Sequence, residues 1–231
     1  LELSRPEVRS RNTIERLASI PEGLEKLYER MLDDVIASED SALFKKVLAT
    51  ASIAARPISF LELQSFIQDL ENFNAQQMME MIEECGSFLF ARDYVIYFVH
   101  QSAQDFLISR TGKSQIFEPT IEGHHLKMLR SALVAMRTLR RNMFNLELPG
   151  IMIDDIATPE VDPLRRVRYH CQYWVDHLGH AAGERQRRDD DLVLEFLNSK
   201  LLYWIEALSL QRHVPEAVTA AQKLKTIMVR F

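Results

Sequence analysis

Ser87-Phe88-Leu89-Phe90-Ala91-Arg92-Asp93-Tyr94-Val95-Ile96-Tyr97-Phe98-Val99 is where the pattern of this chain changes. Upstream, apolar residues recur at helical spacing. Here two short runs rich in Phe, Tyr, Val and Ile flank Arg92-Asp93, which reads as a tight antiparallel hairpin. The linking dipeptide is not the Asn-Gly or Asp-Gly that such turns favour. Working back, Ala75 to Cys85 predicts a methionine-rich helix ended by Gly86. Ser59-Phe60-Leu61-Glu62 has the form of a capping box, opening a short helix with Leu63, Phe66, Ile67 and Leu70 inward. About Asp40 to Ala54 is a helix that Arg56-Pro57 stops. Before it, Leu24, Leu27, Tyr28, Met31, Leu32, Val35 and Ile36 form one helical stripe behind Pro21. Forward of the hairpin, Gln101 to about Ser109 turns Ala103, Phe106 and Leu107 inward. Three helices followed by a two-stranded hairpin is the order of a winged helix-turn-helix.

Past Gly112 the pattern is helical again. Lys113 to Gly123, with Pro119, reads as a linker. Leu126, Leu129, Leu133 and Met136 mark one helix, and Leu164, Val167, Cys171, Trp174, Val175 and Leu178 another, opened by Asp162-Pro163. Between them 146–161 is a long loop, and 179–191 is polar. Three helices, about 192–198, 200–210 and 215–230, are expected to close the chain. The expected fold is mainly α: a linker and leading helix over 1–37, a winged helix with its short β-hairpin over 38–112, and an α-helical domain over 113–231.

Composition narrows the function. The 231 residues include only 7 glycines and 8 prolines, too few for hairpin-rich or glycine-loop architectures. No apolar run approaches the ~20 residues of a membrane helix, and the first twenty residues lack a signal-peptide pattern. Two cysteines cannot staple a chain this size, so a reducing, cytoplasmic setting is expected. Residues 1–112 carry 11 Lys and Arg against 18 Asp and Glu, whereas 113–231 carry 17 against 15. The first part is therefore a poor polyanion binder.

Each candidate for chemistry has a plainer reading. Gly112-Lys113-Ser114 resembles the end of a phosphate loop, but Leu107 stands where that motif needs glycine. His100, Ser102 and Asp105 carry the letters of a hydrolase triad, yet i and i+2 face different sides of a helix. Ser102 at the N-cap with Asp105 three residues on explains them as a cap. His170, Cys171, His177 and His180 are the one candidate metal cluster, but Cys171 belongs to the Trp174/Leu178 core stripe. Glu83-Glu84 and Asp154-Asp155 read as solvated acids. The would-be DNA-recognition helix, 75–84, has three acids and no Lys or Arg, and the wing tip offers only Arg92. Arg137, Arg140, Arg141, Arg165, Arg166 and Arg168 form a more basic region suited to an acidic partner.

Several segments resemble a known family. Ile20-Pro21-Glu22-Gly23-Leu24-Glu25-Lys26-Leu27-Tyr28-Glu29-Arg30-Met31-Leu32 is similar to the segment leaving the nucleotide-binding core of fungal NACHT proteins. Arg56-Pro57-Ile58-Ser59-Phe60-Leu61-Glu62-Leu63, Cys85-Gly86-Ser87-Phe88-Leu89 and Tyr97-Phe98-Val99-His100-Gln101-Ser102-Ala103-Gln104-Asp105-Phe106-Leu107 resemble the winged helix that follows, also described as a GPI inositol-deacylase-like winged helix. Segments 169–178 and 203–210 resemble the helical region before C-terminal WD40 or ankyrin repeats.

The resemblance implies a STAND-class signalling NTPase similar to NOD-like receptors, active in fungal innate immunity or heterokaryon incompatibility. This chain would be its non-catalytic regulatory and scaffold segment, without a phosphate loop of its own. It implies ADP, ATP or GTP in a NACHT core and no cofactor or metal in this segment. The implied partners are that core and the sensor repeats, with an oligomer on activation, no membrane and no nucleic acid. It also implies a role for His100. In NOD-like receptors a Phe-x-His element opening a helix contacts the β-phosphate of ADP, and Phe98-Val99-His100 matches it. Where a strand gives way to a helix, open amides and the helix dipole favour an anion and a neutral imidazole. The alternative is a histidine hydrogen-bonded to local backbone. A freestanding winged-helix DNA-binding protein is the other functional reading.

Overall fold

The computed structural model describes residues 22–85, 87–109, 115–147 and 150–228, which divide into two compact units. The first takes the chain up to Phe60 and then 69–121; the second takes 61–68 and everything from Glu122. The described fold is mainly α with one small sheet.

In the first unit, α1 (Glu22–Ala37) buries Tyr28, Leu32 and Val35, which share one face at i, i+4, i+7. Leu27, also on the expected stripe, stays 49% exposed. Helix α2 (Ser41–Ile53) is buried over most of its C-terminal half, from Val47 to Ser52. Strand β1 (Ile58–Ser59) leads directly into α3 (Phe60–Phe66), and a 3-10 turn follows at Gln68–Leu70. Helix α4 (Ala75–Glu84) has a reciprocal cap: Asn74 Oδ1 accepts from Gln77 N–H and Gln77 Oε1 from Asn74 N–H, both at 2.9 Å. It buries Met78, Met81 and Ile82. Strands β2 (Leu89–Arg92) and β3 (Val95–Phe98) form the hairpin, and α5 (Gln101–Ile108) follows. The sheet is antiparallel in the order β1-β3-β2, with Ile58 opposite Ile96 and Leu89 opposite Phe98.

Two expectations for this unit change. The sheet has a third strand, because Ile58–Ser59 returns to pair with β3; two residues are too few for an alternating pattern to announce them. The hairpin loop is Asp93-Tyr94 instead of Arg92-Asp93, since Arg92 pairs with Val95. Asp93 and Tyr94 both take positive φ, 52° and 61°, as a type I′ turn requires. A tyrosine in that conformation is unusual. Its carbonyl accepts Phe60 N–H at 2.9 Å and its ring packs edge-on to Phe60, which holds the turn. Gly86 and Gly112-Lys113-Ser114 lie outside the described residues. Ile116 and Phe117, expected in a linker, are core residues at 4% and 3% exposure.

The second unit contains α3, α6 (Ile121–Ala135), α7 (Arg168–His180), α8 (Arg187–Leu210) and α9 (Val214–Met228). Its core centres on Trp174 and Trp204, packed edge-on at 5.4 Å, with Phe196 against Trp174. Three boundaries differ from expectation. Helix α6 begins at Ile121, so Gly123 is helical. Helix α7 begins at Arg168; the segment from Asp162 is a turn in which Asp162 Oδ1 accepts Leu164 N–H and Oδ2 binds Arg168. Residues 187–210 form one continuous helix of 24 residues, where two shorter ones were expected. The polar run before Leu192 is its first turn, closed by a Gln186–Asp189 capping box. Ser199, placed at the expected break, returns its hydroxyl to Glu195 O and stays helical.

Helix α7 also lacks a cap of its own, for Val167 stands at its N-cap. Glu62 of α3 supplies one from 107 positions away: its Oε1 accepts Tyr169 N–H at 3.0 Å, with Glu62 itself 2% exposed.

Candidate functional site

Strand β3 ends at Phe98, and Val99 N–H donates to Phe88 O, closing the sheet edge. His100 follows in an extended conformation, φ −148° and ψ 149°, as the N-cap of α5. The expected cap, Ser102, is instead the residue being capped. Its backbone N–H donates to His100 Nδ1 at 3.1 Å, so the imidazole two positions earlier serves as the N-cap acceptor. His100 O in turn accepts Ala103 N–H.

This bond fixes the ring. A nitrogen that accepts an N–H carries no proton, so the neutral ring bears its hydrogen on Nε2. Ser102 Oγ lies 2.7 Å from the same Nδ1, and Tyr28 Oη lies 2.8 Å from Ser102 Oγ. Tyr28 O–H can donate to Ser102 Oγ, and Ser102 O–H then shares the single Nδ1 lone pair of His100 with Ser102 N–H. Tyr28 is itself immobilised: 7% exposed, its ring packs on Phe88 and Phe106 at 5.9 and 5.5 Å. His100 is exposed, and no bond among the described residues takes Nε2. The arrangement presents one rigid N–H donor to solvent beside a helix N-terminus, suited to an anionic oxygen.

The other candidates resolve differently. Asp105 accepts from Gln101 Nε2 at 3.1 Å, so no His–Ser–Asp relay forms. His170 bonds Ser65 Oγ through Nε2 and packs edge-on to Phe66. Burial pushes the Cys171 thiol up to about 12, far from the thiolate a metal needs, and its carbonyl accepts Trp204 Nε1–H. His177 Nε2 lies 3.0 Å from Tyr169 Oη and its Nδ1 2.7 Å from His125 Nδ1, so the neutral ring donates through one nitrogen and accepts through the other. His180 stacks on His125 at 4.6 Å. Among the described residues no group of His, Cys, Asp and Glu is arranged to hold a metal ion. Burial lowers His124 to about 4 and His125 to about 3, and drives His177 well below its ordinary value. In His125 the neighbouring His180 and His124 add to that effect.

Sequence reasoning missed Tyr28, Ser102 as a positioning group, and His125. Tyr28 and Ser102 are 74 positions apart and His125 and His177 are 52 apart. Helical periodicity marked Tyr28 as core, but nothing local signals which hydroxyl it meets. On α4, Gln76, Glu80, Glu83 and Glu84 are exposed and Arg92 lies 3.7 Å from Asp93, so the would-be DNA face is acidic. No described helix is long and apolar enough to cross a membrane.

No protein-family model and no solved structure matches the chain. A curated relative does: the chain is 39% identical over 246 residues to "Vegetative incompatibility protein HET-E-1" of Podospora anserina. The alignment takes in 98% of this chain and 18% of that protein, so the chain spans under a fifth of its relative's length. Near-complete coverage at this identity makes the chain homologous to one segment of HET-E-1, in agreement with the fungal NACHT-protein resemblance of the segments quoted above.

Proposed function

We propose that this chain is the regulatory, non-catalytic arm of a STAND signalling NTPase: a winged helix that closes over a nucleotide-loaded NACHT core, followed by a helical unit that couples it to C-terminal WD40 or ankyrin repeats. The observation that carries the reading is the 3.1 Å contact of Ser102 N–H with His100 Nδ1, which favours the tautomer with its hydrogen on Nε2. Its Nδ1 is held by Ser102 N–H, so Nε2–H points outward beside the N-terminus of α5. In this role Nε2 donates to the β-phosphate of ADP in the closed state, and loss of that contact opens the switch. The two earlier readings of His100 combine, because the local backbone bond is what aims the outward donor.

The winged-helix assignment is supported by the element order and by β1 joining the hairpin in the order β1-β3-β2. The acidic exposed face of α4 speaks against the DNA-binding alternative. Nucleotide, in this reading ADP or ATP or GTP, is held mainly by the core, and the protein acts in the cytoplasm. The 231-residue chain by itself should neither hydrolyse ATP or GTP nor retain duplex DNA at low salt. Hydrolysis above a buffer blank, or DNA binding that weakens steeply with salt, would overturn the proposal.

A further inference from the structure

Helices α6 and α8 of the second unit run side by side and in the same direction, since Arg130 pairs with Asp189 and Arg137 with Glu195. Between them is a groove of 630 Å³. Its floor is apolar: Leu133, Leu192 and the buried Phe196, with Val134 on the wall at 60% exposure. Its two ends are cationic. Arg130 and Arg188 stand at one end, Arg137 and Lys200 at the other, and Glu195 is the one acid among the lining residues.

The four cations differ in what they have left to offer. Arg130 gives Nε and Nη2 to the buried Asp189 at 2.7 and 3.1 Å, which anchors the guanidinium while leaving the side chain 46% exposed. Lys200 gives one hydrogen to Leu139 O at 2.7 Å and has two more. Arg137 meets Glu195 only at 3.6 Å, with both side chains more than half exposed. Arg188 is exposed and forms no ion pair among the described residues.

We infer that this groove is a docking site for an acidic polypeptide segment in which apolar side chains lie between flanking carboxylates. Charge and spacing select the occupant. Arg130 on α6 and Arg137 in the 3-10 turn that continues it (Met136–Thr138) are seven positions apart, about 11 Å along the axis. An extended peptide covers that distance in roughly three residues, so carboxylates at i and i+3 reach both ends with an apolar side chain over Phe196. The open wall suits a peptide better than a small molecule, which needs most of its surface enclosed. The Arg165 and Arg166 part of the basic stretch read from the sequence is not in the groove.

The test is fluorescence anisotropy with the 231-residue chain and a labelled peptide, Asp-Asp-Leu-Phe-Asp-Asp. Controls are Asp-Asp-Ser-Ser-Asp-Asp and Lys-Lys-Leu-Phe-Lys-Lys. Saturable binding is expected for the first peptide only, weakening severalfold between low and ~0.5 M salt. Arg188→Glu with Lys200→Glu should weaken it by about tenfold, and Val134→Asp severalfold. Arg165→Glu with Arg166→Glu, equal in charge change, should leave it intact, and circular dichroism shows whether each variant is folded. Equal loss in the Arg165/Arg166 control, equal binding of the Ser-Ser peptide, or binding of duplex DNA or inorganic triphosphate through Arg188 and Lys200 without the acidic peptide would each overturn the proposal.

Discussion

The two units use histidine in opposite ways. The first has a single histidine, His100, which is exposed and held by the backbone two residues on. The second has six, and four of them, His124, His125, His170 and His177, are at most 8% exposed. An imidazole at a solvent-facing cap is a directed donor whose geometry matters more than its burial. An imidazole in a core is a polar group that must stay neutral and find partners, as His177 does with Tyr169 and His125. The same residue type is thus a candidate contact in one unit and a constraint on stability in the other.

Acid should separate the units most strongly. For His124, His125 and His177 the folded value lies below the unfolded value of about 6.5. Above pH 6.5 both states are neutral and nothing is lost. As pH falls below 6.5 the unfolded state takes up protons first, so stability drops by up to about 1.4 kcal/mol per pH unit for each histidine. The loss continues until the folded values near 4 and 3 are reached. Both tryptophans, Trp174 and Trp204, lie in the second unit's core, so tryptophan fluorescence reports that unit alone. Its thermal transition should fall markedly between pH 7 and 5.5, while amide exchange in α2 and α5 changes little. A tryptophan transition that stays put would break the contrast.

The next effect concerns the remote cap of α7. Glu62→Ala removes a buried carboxylate that holds Tyr169 N–H, and should cost the second unit about 2 kcal/mol, read by urea unfolding on tryptophan fluorescence. A smaller effect belongs to the first unit. Tyr28→Phe deletes the hydroxyl behind Ser102 and should cost about 1 kcal/mol by amide exchange in α1 and α5, without moving the tryptophan transition.

What could be read from sequence follows the range of the forces involved. Helical stripes and the hairpin are local patterns, and they located the α-helices named above but not the 3-10 turn at Ile153–Asp155, and they split α8 in two. Residues 187–191 look like loop because every one of them is charged, although Asp189 is buried and accepts Gln186 N–H in a cap that only a helix start uses. The shifted hairpin turn depends on Phe60, over thirty positions away from Tyr94. His100 could be singled out as a candidate because Phe98-Val99-His100 is contiguous. The groups that aim it and the partner that keeps His177 neutral are long-range contacts, which one-dimensional periodicity does not encode.

The central claim is that the N–H of His100, aimed by Ser102, retains nucleotide in the closed state. It is tested most directly by the dissociation rate of labelled ADP from a protein that carries this chain next to its NACHT core. His100→Ala should speed release by about tenfold, the equivalent of one hydrogen bond to phosphate, with the second unit's tryptophan transition unchanged. ADP released at the same rate from wild type and His100→Ala would contradict the account.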